Sequence, residues 1–141
     1  MQLSEKGKSL IKKYEGLKLS AYKCPAGVWT IGYGHTTGVF EGQKIIQKLA
    51  DDFFEQDIKQ FEKIISELCK VPLKQSQYDA LVSFVYNIGK NAFANSTLLK
   101  MLNEKDFVGA GNQFARWVYA DGKKLSGLVK RREEERSLFF E

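Results

Sequence analysis

Residues 15–42 read EGLKLSAYKCPAGVWTIGYGHTTGVFEG, and the reading of this stretch decides the fold. Short apolar or β-branched runs are broken by glycines and one proline, the pattern of a small hairpin sheet closed by tight turns. The chain on both sides is helical in period. Upstream, a helix is expected from about Ser4 to Tyr14. Ser4 can cap it, Leu10, Ile11 and Tyr14 give an apolar stripe, and Gly16 ends it. Downstream, Leu49, Phe53, Phe54, Ile58, Phe61, Ile65 and Leu68 recur at three- and four-residue steps across residues 45–70. A helix of that length spans on the order of 35 Å and can join a β-rich lobe to a helical one.

Pro72 then punctuates the chain. Gln75–Ile88 reads as a strongly apolar helix stopped by Gly89, followed by shorter helices at Ser96–Asn103 and Asp106–Val118 and a last one at about Ser126–Phe140. The expected class is α+β, with one domain over residues 1–141. Within it, a β-rich lobe covers about residues 15–45, a connecting helix about 45–70, and a helical lobe about 72–141 together with the N-terminal helix.

Composition narrows the class. At 43% hydrophobic and 28% charged residues the chain is globular rather than disordered. No run approaches the roughly 18 apolar residues of a membrane span, and the opening MQLSEKGKSLIKKYEG lacks the apolar core of a secretory signal. Two cysteines, Cys24 and Cys69, and a single histidine make neither a disulfide scaffold nor a metal site, so no metal is expected. The formal charge of +5 favours polyanionic partners (nucleic acid, anionic lipid or acidic envelope polymers) without choosing among them.

Glu15 closes the first helix, where the negative end of the helix dipole disfavours an ionised carboxylate. A carboxylic acid that keeps its proton near neutrality is what general-acid chemistry needs. Such a position is a weak signal alone, because most glutamates at helix ends are simply solvated. Cys24, Thr30 and His35 follow on the compact hairpin, within YKCPAGVWTIGYGHT.

The spacing Glu, eight residues, Cys, five residues, Thr resembles the catalytic triad of the phage T4-type lysozymes, glycoside hydrolase family 24, in the branch that carries Cys in place of Asp. The likeness runs through five blocks in order: the opening helix and hairpin, FFEQDIKQF, QYDALVSFVYNIG, STLLKMLN with FARW, and GLVKRREEE. It implies a lysozyme-like fold whose substrate groove lies between the two lobes. It implies hydrolysis of the β-1,4 bond between N-acetylmuramic acid and N-acetylglucosamine in peptidoglycan, leading to host cell lysis. Glu15 would be the general acid, Cys24 would stand where relatives have a carboxylate, and Thr30 would position water or sugar. His35 would pair with Asp57, Arg131 would turn inward to Glu15, and Tyr86 and Asn87 would line the groove. Trp117 reads as core, by its helical spacing. An inward arginine favours the ionised form of Glu15 and so opposes the helix dipole.

The same resemblance implies that no cofactor is needed and that the partners are glycan strands rather than nucleic acid. It implies a monomer without a stable membrane anchor. Synthesis in the host cytoplasm, release through a holin-type lesion and action on the cell wall complete the expectation. One rival uses the same hairpin differently: a peptidase or amidase with Cys24 as nucleophile and His35 as base, which leaves Glu15 idle.

Overall fold

A computed structural model describes all 141 residues. Helix α1 covers Glu5–Glu15. Ser4 caps it, its hydroxyl accepting from Gly7 N, and Ser4 is itself held by the buried Asp79 carboxylate of the next long apolar helix. Gly7 permits this approach, since a Cβ there would sit 2.5 Å from Leu3 Cδ1 and 2.9 Å from Asp79 Cγ. The helix runs one residue further than the apolar stripe indicated, so Glu15 is its last residue. Gly16, at φ +71°, turns the chain into the sheet.

Strands β1 (Lys18–Lys23) and β2 (Trp29–Gly32) pair antiparallel, with Tyr22 opposite Thr30 and Lys23 opposite Trp29. The following loop returns along the other edge of β1, where Ala21 N donates to Gln43 O and Ile45 N to Leu19 O. Helix α2 (Gln47–Leu68) is shorter at both ends than the expected span and runs about 33 Å at 1.5 Å per residue. Ala50, Phe54, Ile58 and Ile65 form its buried stripe. Helix α3 (Gln75–Ile88) is the central element. Tyr78 to Val85 are all buried, because α1, α2 and the last helix pack around it.

Beyond α3 the chain departs from expectation in three places. A short helix α4 (Lys90–Ala94) precedes α5 (Thr97–Asn103), which Ser96 caps. The continuous helix expected over Asp106–Val118 is divided into α6 (Phe107–Gln113) and a 3₁₀ turn, Phe114–Arg116. Two glycines weaken the helix, and 3₁₀ winding superposes positions three apart. Phe114 and Trp117 are such a pair, and both meet the Phe84 ring edge-on, with centroids 5.1 and 5.5 Å away. A second hairpin, β3 (Tyr119–Ala120) and β4 (Lys123–Lys124), was not expected. Its two turn residues, Asp121 and Gly122, both have positive φ, and Asp-Gly is the turn dipeptide for that geometry. Helix α7 (Ser126–Phe139) then packs back on α3. The outcome is α+β, a small antiparallel sheet beside a helical cluster.

Candidate active site

One wall of the site comes from the two ends of the chain. Glu15 Oε2 accepts a hydrogen bond of 2.7 Å from Arg131 Nη1 of α7, and its side chain is 19% exposed. Gly34, at φ +84°, lets the hairpin backbone come up against this carboxylate; a Cβ there would lie 3.1 Å from Glu15 Oε1. Tyr86 backs the same corner from α3, its hydroxyl donating to Tyr33 O. Burial, with the Glu15 and Asp57 charges nearby, pushes that hydroxyl far above the ordinary tyrosine range.

Arg131 belongs to a buried polar cluster. Its Nε donates to Glu135 Oε2 at 3.2 Å and its Nη2 to Ser83 O at 3.0 Å. Arg132 donates through Nη1 to Glu135 Oε1 at 2.7 Å, through Nε to Trp117 O at 2.9 Å, and through Nη2 to Asn87 Oδ1. Ser83 Oγ donates to Glu135 Oε2 at 2.6 Å. Both arginines are buried, and Glu135 is 0% exposed. Arg131 turns inward to Glu15, and Arg132 and Glu135 turn inward beside it. The signal was present: Arg131, Glu135 and Leu138 recur at four and three residues, the period of one buried helix face.

The β1–β2 hairpin carries the other candidate residues. Cys24 begins its turn, where Cys24 N donates to Val28 O and Gly27 N to Cys24 O. The backbone N–H of Val28 facing its sulfur, then that of Ala26 and the Thr30 hydroxyl, draw the half-buried thiol below the ordinary cysteine range. Thr30 is buried, and its hydroxyl lies 3.0 Å from Val28 O. Tyr22 sits directly across from Thr30, so both side chains leave the same face of the sheet. Partial burial, then the Glu15 and Cys24 charges, raise its hydroxyl above the usual range, which places it beside both groups. Sequence reasoning missed Tyr22, although the period of two from Cys24 puts it on that face. Cys24 and Cys69 are both free thiols. The latter, at the end of α2, is pushed up to about 12 by burial.

His35 turns away from these groups. Its Nδ1 meets Asp57 of α2 at 2.8 and 3.1 Å, and its ring stacks on Phe53 with centroids 4.1 Å apart. Burial raises Asp57 above the ordinary aspartate value, against the pull of His35. Asn87 is exposed at the end of α3, and Trp117 packs edge-on against Phe84. Tyr14, Glu15, Asn87, Leu125, Ser126 and Arg131 line a groove of about 470 Å³ that runs from the acid along the start of α7.

A carboxyl fixed by an arginine at the edge of a groove agrees with what the sequence matches. The family model described as phage lysozyme covers residues 12–135. The chain belongs to the phage lysozyme family. Among its relatives, an endolysin of Acyrthosiphon pisum secondary endosymbiont phage 1 is 51% identical across 99% of this chain and 98% of its own length. The endolysin of Salmonella phage P22 is 42% identical across 99% of both. In three dimensions this lysozyme superposes on the muramidase domain of SpmX from Asticaccaulis excentricus with a TM-score of 0.93, at 38% identity and 99% and 98% coverage. Members of this size therefore share the whole architecture, hairpin and helical cluster together.

Proposed function

We propose that this lysozyme is an endolysin that hydrolyses the β-1,4 bond between N-acetylmuramic acid and N-acetylglucosamine in peptidoglycan. Family membership and the endolysin and muramidase relatives support a glycoside hydrolase acting on the cell wall. The observation that carries the reading is the Glu15 carboxyl, fixed by Arg131 at the edge of the groove.

On this reading Glu15 gives its proton to the glycosidic oxygen as the bond breaks, which leaves an oxocarbenium-like sugar. Cys24, favoured as thiolate by the turn amides, takes a proton from the water that attacks that sugar. Thr30, whose hydroxyl faces both Val28 O and the thiol, fixes the direction of the sulfur. Asn87 at the groove contributes a polar contact to the saccharide, while Tyr86 holds α3 against the hairpin. The His35–Asp57 pair braces the hairpin on α2. Action as a monomer on glycan strands, after passage through a lesion made by a holin-type protein, belongs to the same reading. The rival thiol–imidazole dyad finds no support: Asp57 engages His35 Nδ1, and His35 is not among the groups acting on the Cys24 thiol.

The test uses purified peptidoglycan and measures two product classes, reducing sugar ends and free amino groups. Reducing ends of N-acetylmuramic acid, lost in Glu15→Gln, are the expected result. Release of amino groups, abolished in Cys24→Ala and kept in Glu15→Gln, would overturn the assignment.

A further inference from the structure

Two buried guanidiniums and two carboxylates meet behind the groove, and their charges cancel. Their distribution is uneven. Glu15 touches one arginine through one oxygen, while Glu135 spends one oxygen on Arg131 and the other on Arg132. Glu135 is completely buried and receives the Ser83 hydroxyl as well, so it has no solvent to screen it. Carbonyls such as Ser83 O and Trp117 O satisfy N–H groups but leave the buried guanidinium charges uncompensated. The Glu135 carboxylate neutralises them, and in doing so it also withdraws positive charge from Glu15.

We infer that Glu135 is a positioning residue for the acid, sharing Arg131 with Glu15 and so limiting how strongly that arginine holds Glu15 ionised. The inference rests on Glu15 being the proton donor. Other groups facing the acid are Tyr86 from α3 and Tyr22 from β1; those facing Glu135 are Arg131 and Arg132 from its own helix, Ser83 from α3 and Tyr14 from α1. The tyrosines and the serine are neutral near pH 7, because burial raises each of these hydroxyls or leaves it without a charge to give. Apart from the Cys24 thiol, which like Glu15 acts on Tyr22 and is unchanged in the variants below, the balance at Glu15 is set by the two arginines against Glu135. Remove the Glu135 charge and both arginines act on one remaining carboxylate. Remove the Arg132 charge and Glu135 turns wholly to Arg131, loosening its hold on Glu15.

These two changes have opposite signs, which a purely structural role would not give. The experiment follows the side-chain carboxyl of Glu15 by NMR titration in full-length protein carrying ¹³C-labelled glutamate. It also records kcat/KM for release of reducing ends against pH. In Glu135→Gln the Glu15 midpoint and the alkaline limb of the rate profile should move down by about one unit. Activity at neutral pH then falls about tenfold and returns on acidification. In Arg132→Gln both should move up, and the double variant should lie near the parent. If Glu135→Gln does not fold, Arg132→Gln decides alone. An upward shift supports the assignment, and an unmoved Glu15 midpoint in a folded variant overturns it. Variants that shift as described from a parent that releases no reducing ends would sink the glycosidase reading instead, so the two failures are distinct.

Discussion

Glu15 and Cys24 are nine residues apart in the chain but are held in unlike surroundings. The acid stands at the end of a helix and is gripped by a guanidinium 116 positions away, itself locked by the buried Glu135 carboxylate and the Ser83 backbone carbonyl. The thiol stands on a two-stranded hairpin, and what shapes it is local: amides and a hydroxyl within six residues. A carboxyl seated against a buried ion cluster depends on charges fixed by long-range packing. A thiol on a hairpin can be tuned by a turn alone. The two groups are thus held by different physics, and each can be damaged separately.

The largest expected effect is at the acid. Glu15→Gln should lower kcat for glycan cleavage by about a thousandfold, within the range for loss of a general acid, with unfolding in urea little changed. At the thiol, Cys24→Ala should cost on the order of a hundredfold. If the thiolate is the active form, its contribution is present above its lowered titration point and disappears as pH falls through it. Cys24→Asp should then keep activity and carry that acidic limb down toward the ordinary aspartate range, which a rate–pH profile reads directly. A limb that stays in place would remove the thiol from proton transfer. Beside the acid, Gly34→Ala forces a left-handed side chain and a 3.1 Å contact on Glu15. It should cost about 1–2 kcal/mol in urea unfolding and lower kcat more than it alters KM. The smallest effect concerns Glu134, adjacent to Glu135 but partly exposed and paired with Lys13. Lys13 lowers its titration point, so its stabilisation exists above the ordinary glutamate range and is lost as pH falls through it. Glu134→Gln should cost no more than about 0.5 kcal/mol in thermal melts, against a far larger loss for the buried neighbour.

The same division explains what could be read in advance. The hairpin is local, and its glycines, β-branched runs and Cys24–Thr30 spacing were legible because turn chemistry is written in adjacent residues. Helices α1, α2 and α3 followed from apolar period. The Glu15–Arg131 contact was expected from family likeness, since nothing local marks a contact across the whole fold. Arg132 and Glu135 lie in a KRREEE run that looks like a charged surface; only the buried period linking Arg131, Glu135 and Leu138 betrays the inner face. The Asp121–Gly122 hairpin carries its signal in the Asp-Gly dipeptide, in the short stretch between the helices expected to end at Val118 and to start at about Ser126. The break after Gln113 was not legible. It depends on Phe84, thirty residues upstream, demanding two aromatic neighbours at once.

One consequence follows from where the arginine lies in the order of synthesis. A ribosome that has made the first hundred residues has already supplied the acid, the hairpin and the long helix, yet not the group that grips the acid. Glu15 acquires its partner only when α7 has emerged and folded back over α3 and the end of α1. Unfinished or C-terminally clipped chains therefore carry every residue of the Glu–Cys–Thr set without a seated proton donor.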